Sequence, residues 1–261
     1  MIDIHCHMLP GVDDGPRTMD ESLAMARMAV EDGIRGVLCT PHWHPMIWPN
    51  EREHIALAVD QFREYLQAER IPLEVWAGSE LSLDSELDAG LEGGRLGTLN
   101  GGPWVLLELP GAVPPPGIDD YLWHFNQRGY KVVLAHPERY DYVQRDPARL
   151  YSWVGMGVAV QITASSLLGR LGPETAALCR LLLEHRLVHF VASDSHGTRS
   201  RRPLLGKALQ AAAEIVGEAD ARRLVDAHPL SVLTGKPLDL RDYAPMELAR
   251  KKRSWFSFFR R

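Results

Sequence analysis

The sequence predicts one α/β domain, a barrel of parallel strands alternating with helices. Three observations carry this. Seven short apolar runs recur along the chain, with helical patterns between them. The runs are continuous rather than alternating, as expected of strands buried on both faces. Six of the seven finish in His, Asp or Glu, and α/β barrels gather their active sites at the carboxyl ends of their strands. A chain of 261 residues suits a single barrel.

The first run is Met1 to His7. Side chains alternate along a strand, so His5 and His7 share a face and Cys6 points the other way into packing. Two imidazoles on one face can hold a metal ion, though the same pair on a surface would mean little. The loop Gly11-Val12-Asp13-Asp14-Gly15 reads as a turn, with an acidic ligand as the alternative. A helix capped by Thr18 or Asp20 runs to Glu31 and stops at Gly33. Strand two is Gly36 to Cys39. Pro41 and Pro45 then stiffen a loop carrying His42 and His44. His42, nearest the strand end, is the better ligand; His44 is a substrate-side group or merely exposed. Trp43, Met46 and Trp48 either line a pocket mouth or pack. Residues 51–70 form a helix on which His54 reads as structural.

Strand three, from Val75, ends at Glu80, and a short helix or turn follows over Leu81 to Leu91. The glycine-rich stretch 92–102 lacks the strand–G-x-G-x-x-G–helix setting of a dinucleotide site, and no phosphate loop of the G-x4-G-K-[ST] type exists. Strand four ends at Glu108, before a proline-stiffened loop and a helix from Ile118 to Arg128. Strand five runs into His136-Pro137-Glu138-Arg139. Arginine suits bidentate contact with phosphate oxygens, which makes Arg139 a substrate-binding candidate. A helix starting at Asp146 leads to strand six, Gly157 to Thr163, whose end carries Gln161 and Thr163 but no strong ligand. The Pro173 to Arg186 helix holds Cys179 and His185 in packing. Strand seven, from His189, delivers Asp194 and His196, followed by the basic cluster Arg199-Ser200-Arg201-Arg202. Helices over Leu204 to Val216 and Asp220 to Ala227 complete the domain.

Composition excludes several classes. A hydrophobic content of 45% and a charged content of 24% are ordinary for a soluble globular chain. The net charge of −5 argues against a nucleic-acid partner. No apolar run is long enough to span a membrane and no secretory pattern opens the chain, so a cytoplasmic protein is expected. Three cysteines do not suggest a disulfide framework. Six residues after each stand Val12, Pro45 and His185, so the Cys-x5-Arg loop of thiol phosphatases is absent. Residues 250–261 form a tail with six basic residues, no acidic one and four aromatics. Such a tail suits an anionic membrane surface or an acidic partner, and equally packing on another subunit.

Asp3-Ile4-His5-Cys6-His7, Gly11-Val12-Asp13-Asp14-Gly15, Thr40-Pro41-His42, Gly78-Ser79-Glu80, His136-Pro137-Glu138-Arg139 and Ser193-Asp194-Ser195-His196 together resemble the polymerase and histidinol phosphatase (PHP) superfamily. The fuller resemblance is to its bacterial protein-tyrosine phosphatase branch, which acts in capsule and exopolysaccharide control. It implies a distorted (β/α)7 barrel of the PHP type over residues 1–249 as a single domain, followed by the tail. It implies three divalent ions, most often Mn²⁺, with Fe or Zn²⁺ as alternatives. Carried over by motif, one ion takes His5, His7, Glu80 and Asp194. A second shares Glu80 and takes Glu108 and His136. The third takes Asp14, His42 and His196. Arg139 and Arg201 are the implied phosphate contacts, although Arg199 and Arg202 flank the second. His42-Trp43-His44 departs from the His-His that many relatives carry after Thr-Pro.

The implied activity is hydrolysis of phosphotyrosine on a membrane-associated tyrosine autokinase, placing the protein in the cytoplasm or at the inner face of the membrane, with homo-oligomers expected. A small-molecule phosphatase, such as one acting on histidinol phosphate, and a metal-binding regulator without turnover are the alternatives.

Overall fold

The computed structural model describes residues 1–240. Residues 241–249 of the predicted domain and the tail 250–261 lie outside the described residues. Nine strands are described: β1 Ile2–Cys6, β2 Gly36–Cys39, β3 His42–Trp43, β4 Glu74–Ala77, β5 Glu80–Ser82, β6 Trp104–Glu108, β7 Lys131–Ala135, β8 Ala159–Thr163 and β9 Phe190–Ala192. All pairings between them are parallel. One sheet has the order β1-β2-β4 and the other β3-β5-β6-β7-β8-β9.

The seven expected strands therefore become nine, because two of them break. Strand two is cut at Thr40-Pro41, where proline cannot donate to the ladder, and resumes as β3. Strand three is cut at Gly78-Ser79 and resumes as β5. The breaks are bridged by Thr40 N–H to Cys6 O and by Gly78 N–H to Cys39 O, both 2.9 Å, and by Glu80 N–H to Pro41 O at 3.1 Å. Each broken strand thus passes from the small sheet to the large one. The ring closes where Cys6 bridges Ser195, with His7 N–H to Ser195 O at 2.9 Å and Asp194 N–H to His5 O at 2.8 Å. The result is a distorted seven-membered parallel barrel.

The helices are α1 Met19–Glu31, α2 Arg52–Ala68, α3 Leu87–Glu92, α4 Ile118–Gln127, α5 Asp141–Arg145, α6 Ala148–Gly155, α7 Ala164–Leu167, α8 Pro173–Glu184, α9 Gly206–Val216, α10 Glu218–Val225 and α11 Ala227–Leu233. Thr18 caps α1, its hydroxyl accepting from Glu21 N–H at 3.3 Å. The helix expected from Asp146 is α6, and the unexpected α5 precedes it; the two are separated because Asp146 precedes Pro147 and leaves helical geometry at φ −141°, ψ 80°. His54 lies exposed on α2 rather than packed. The four-residue α7 and the α11 helix were not expected from the sequence.

Two apolar layers result. Ile4, Leu38, Leu106, Val133 and Phe190 fill the barrel, joined by Leu99 and by Val232 of α11. A larger layer lies between strands and helices, with Phe62, Phe125 and Trp153 fully buried in it. Each fully buried large apolar side chain stabilises the fold by about 1.5–3 kcal/mol. This packed interior makes the carboxyl rim a rigid platform for the residues at the strand ends.

Candidate metal centre

Most of the expected ligands stand at or just beyond a strand end; His42 and Glu80 open the short strands β3 and β5, and Asp14 lies in the loop between β1 and α1. His5 and His7 flank the buried Cys6, and their Nε2 atoms face one another at 3.1 Å. Glu80 opens β5, fully buried, with Oε2 at 3.2 Å from His5 Nε2 and 3.3 Å from His7 Nε2. Asp194 Oδ1 lies 3.4 and 3.6 Å from the same two nitrogens. Glu80 Oε2 also meets His42 Nδ1 at 2.9 Å, and its Oε1 meets His136 Nε2 at 2.9 Å. Glu108 Oε1 is 3.8 Å from His136 Nε2. On the outer side Asp14 Oδ1 is 3.1 Å from His196 Nε2 and 3.5 Å from His42 Nε2. The nine residues are brought together at one end of the barrel.

The grouping differs in detail from the one implied by resemblance. His7 stands with Asp14, His42 and His196 as well as with His5 and Glu80, and His42 also groups with Glu80 and Glu108. Asp194 is gripped by both candidate arginines. Arg139 Nη2 reaches its Oδ2 at 2.7 Å and Arg201 Nη2 its Oδ1 at 2.6 Å. Asp14, read first as part of a turn, has its carboxylate turned to two imidazoles. Two site residues hold left-handed backbone, His136 at φ 33° and Asp194 at φ 49°, a conformation costing roughly 1–3 kcal/mol at a non-glycine position. Leaving the strand this way turns the chain sharply at the rim.

Electrostatics show how these side chains set one another's charge. Burial alone would lower the His7 pKa, but hydrogen bonds to Asp13 and Glu80 push it up to about 10. Burial would raise Glu80, yet His5 and His136 hold it well below the carboxylate range. Burial and then the negative charge of Glu80 raise Glu108. Burial lowers His196, and it outweighs the hydrogen bond to Asp14. Neighbouring carboxylates thus draw positive charge onto His7 and, through Glu80 and Asp194, onto His5. Divalent ions balance the same carboxylates while leaving the imidazoles neutral, as ligation requires.

The spacing fits ions too. Two donors each about 2.1 Å from one ion stand roughly 3.0–3.4 Å apart. The His5–His7–Glu80 distances fall in that range; of those to Asp194, the one from His5 is at its upper edge and the one from His7 slightly above it. An all-nitrogen and oxygen donor set without thiolate suits Mn²⁺, Fe or Zn²⁺.

Several residues act behind the candidate ligands in roles the sequence did not assign to them. Asp13 accepts from His7 Nδ1 at 2.6 Å and from His42 N–H at 3.0 Å. Burial opposes ionisation of Asp13, but the His7 bond holds its pKa down at about 2. Gln161 Oε1 is 2.9 Å from His5 Nδ1. Glu138 accepts from Thr163 N–H at 3.0 Å, and Thr163 Oγ1 accepts from Arg139 Nη2 at 3.2 Å. Asp3 accepts from His5 N–H and Ser193 N–H, tying the first strand end to the last. Asp13, Glu138 and Asp3 sit inside the motifs already singled out, which was the available signal; Gln161 had only its strand-end position. Trp48 stacks on His42 with ring centroids 4.8 Å apart, whereas Trp43 is buried and Met46 is exposed. His44 accepts from Met46 N–H at 3.2 Å and stays in its own turn.

A family model for capsular polysaccharide synthesis, CpsB/CapC, matches residues 1–234. The tyrosine-protein phosphatase YwqE of Bacillus subtilis strain 168 is 39% identical over 201 residues, covering 77% of this chain and 79% of YwqE. The tyrosine-protein phosphatase CpsB of Streptococcus pneumoniae is 29% identical over 238 residues, covering 89% of this chain and 98% of CpsB. A solved structure from work on YwqE and CpsB, described as unique metal-dependent tyrosine phosphatases, superposes with a TM-score of 0.90 at 34% identity. It covers 95% of this chain and all of its own. A histidinol phosphate phosphatase from Lactococcus lactis shares the fold alone, with a TM-score of 0.53 at 13% identity over 84% of this chain and 94% of its own.

Proposed function

The chain belongs to the CpsB/CapC family of capsular polysaccharide synthesis, and from that premise we propose that it is a metal-dependent protein-tyrosine phosphatase. The observation that carries the reading is one rim holding five imidazoles, four carboxylates and two guanidinium groups that meet on Asp194. The finer reading follows the resemblance. Three divalent ions, Mn²⁺ foremost, are held by His5, His7, Asp14, His42, Glu80, Glu108, His136, Asp194 and His196. The substrate is phosphotyrosine on a tyrosine kinase that governs capsule or exopolysaccharide synthesis. Among the described residues no helix is long and apolar enough to cross a membrane, and a membrane-bound partner would be met from outside the bilayer.

When bound, the ions supply Lewis acidity, lowering the pKa of water and offsetting phosphoryl charge. This chain's own groups do the rest. Arg139 and Arg201 present charged donors where negative charge grows on the phosphoryl oxygens. Thr163, fixed by Glu138, holds the Arg139 guanidinium in place. Asp13 and Gln161 set the orientation of His7 and His5. A tyrosine leaving group has a pKa of about 10, so its departure needs little help from a dedicated acid. No covalent phosphoenzyme is required.

The test is phosphate release from a phosphotyrosyl peptide with histidinol phosphate in parallel, each with Mn²⁺ and after chelation. Metal-dependent turnover of the peptide alone is expected. Turnover of histidinol phosphate alone would overturn the substrate, and a loaded protein inactive on both would favour a regulatory role.

A further inference from the structure

We propose that the cleft beside Arg201 is a subsite for acidic residues flanking the phosphotyrosine of a peptide substrate. The inference rests on the phosphatase reading above and extends it to substrate choice. The cleft lies between α7 and α9, with Arg170, Arg201, Arg202 and Lys207 along its walls and Leu168 and Leu204 among them. Arg201 is its corner, because it also reaches Asp194 in the metal centre. Ser193, next to Asp194, and Ser165, 3.2 Å from Thr163 Oγ1, extend the lining toward the Arg139 contact.

The charge of this cleft is unbalanced. Its one acidic lining residue, Asp32, is committed to the N–H groups of Leu205 and Gly206 at the start of α9. Among the described residues no ion pair joins a carboxylate to Arg170, Arg202 or Lys207 within 4 Å, whereas Arg27, Arg63 and Arg128 on other faces are each paired. The Arg170 guanidinium donates to the Ser200 carbonyl at 3.4 Å, and among the described residues the buried Arg202 Nε has no hydrogen-bond partner. Like charges gathered in a concave, low-dielectric wall focus potential outward and attract anions. In a chain of net charge −5 this is a local exception.

An extended peptide advances about 3.3 Å per residue. With its phosphotyrosine at the metal centre, carboxylates a few residues away reach the cleft. Leu168, 37% exposed at its edge, offers apolar contact to the same segment.

The experiment compares two peptides bearing a non-hydrolysable phosphotyrosine mimic, one flanked by Glu and Asp, the other by Gln and Asn. Binding to the full metal-loaded chain is read by fluorescence anisotropy. The acidic peptide is expected to bind about tenfold tighter at low salt, equivalent to about 1.4 kcal/mol, with the ratio shrinking as salt rises. In Arg170→Glu/Lys207→Glu the ratio falls to about one; both side chains are exposed, and Lys207→Gln serves as the milder variant. Equal affinities in the unmodified protein, or a ratio that survives both variants, overturns the proposal. Loss of binding to phosphatidylserine vesicles in the double variant with the peptide ratio intact would assign the cleft to lipid and also overturn it. Hydrolysis of the matching phosphotyrosyl peptides is followed in parallel. Its absence beside a retained binding preference would remove the phosphatase reading and leave the subsite standing.

Discussion

A metal-competent residue is only as useful as the group that orients it. His7 shows this most clearly. Its Nδ1 is held by Asp13 at 2.6 Å while Nε2 faces His5 and Glu80. That bond selects the tautomer that offers Nε2 and raises the basicity of the ring. Asp13→Asn keeps the shape but weakens the acceptor charge. Metal affinity, read by chelator competition, is expected to fall by roughly 10–100-fold with the fold intact by circular dichroism. Unchanged affinity would mean that His7 is positioned by packing alone. Asp13 also accepts from His42 N–H, so ligands from two separate segments, after β1 and in β3, respond to the same substitution.

At the scale of elements, the two strand breaks place the central carboxylate. An unbroken third strand would carry Glu80 along the small sheet; the break at Gly78-Ser79 passes it to the large one, with Glu80 opposite His42. Gly78 sits at a tight crossing. A Cβ there would lie 3.0 Å from Leu99 Cδ2 and 3.1 Å from Thr40 Cγ2. Gly78→Val is expected to cost about 1–3 kcal/mol through overpacking, a fall in Tm of about 2–4 °C for each kcal/mol. Metal affinity should fall with it. A lowered Tm with full metal affinity would show that the break does not set the position of Glu80.

At the scale of the whole molecule, the end of the barrel remote from the candidate metal centre contributes to acid stability. His189 is buried just before β9, its Nδ1 accepting from Val160 N–H at 3.0 Å. Burial, aided by the charge of His228, depresses its pKa to about 3. The unfolded chain binds this proton near pH 6.5 and the folded chain does not until about pH 3. The contribution of neutral His189 is therefore complete above pH 6.5 and is lost as pH falls through the window between the two. The slope is about 1.4 kcal/mol per pH unit. His189→Gln removes the titration while keeping an acceptor. The stability gap between the two proteins, from urea unfolding of the chelated forms, should narrow by about 2 kcal/mol between pH 6.5 and pH 5. A gap independent of pH would show that His189 titrates normally.

Much of this was legible along the chain. β2 has the bounds expected of strand two, β6 ends at Glu108 as expected of strand four, and α1, α2, α4 and α8 begin within about two residues of their expected starts. These are local matters: hydrophobic period, proline, glycine and capping hydroxyls act over a few residues. The ligand candidates were visible for the same reason, since a polar residue closing a buried apolar run is conspicuous. The sequence by itself thus determined the alternating α/β order, the parallel sheet and the residues at the strand ends. Which residues meet was decided only in three dimensions. Asp13 on His7, Gln161 on His5, both arginines on Asp194 and the unpaired cations beside α9 join positions up to 156 residues apart in the chain. Such pairings depend on barrel closure and on the two strand breaks, which bring distant strand ends onto one rim. No local pattern encodes a distance across a ring; only the packed barrel does.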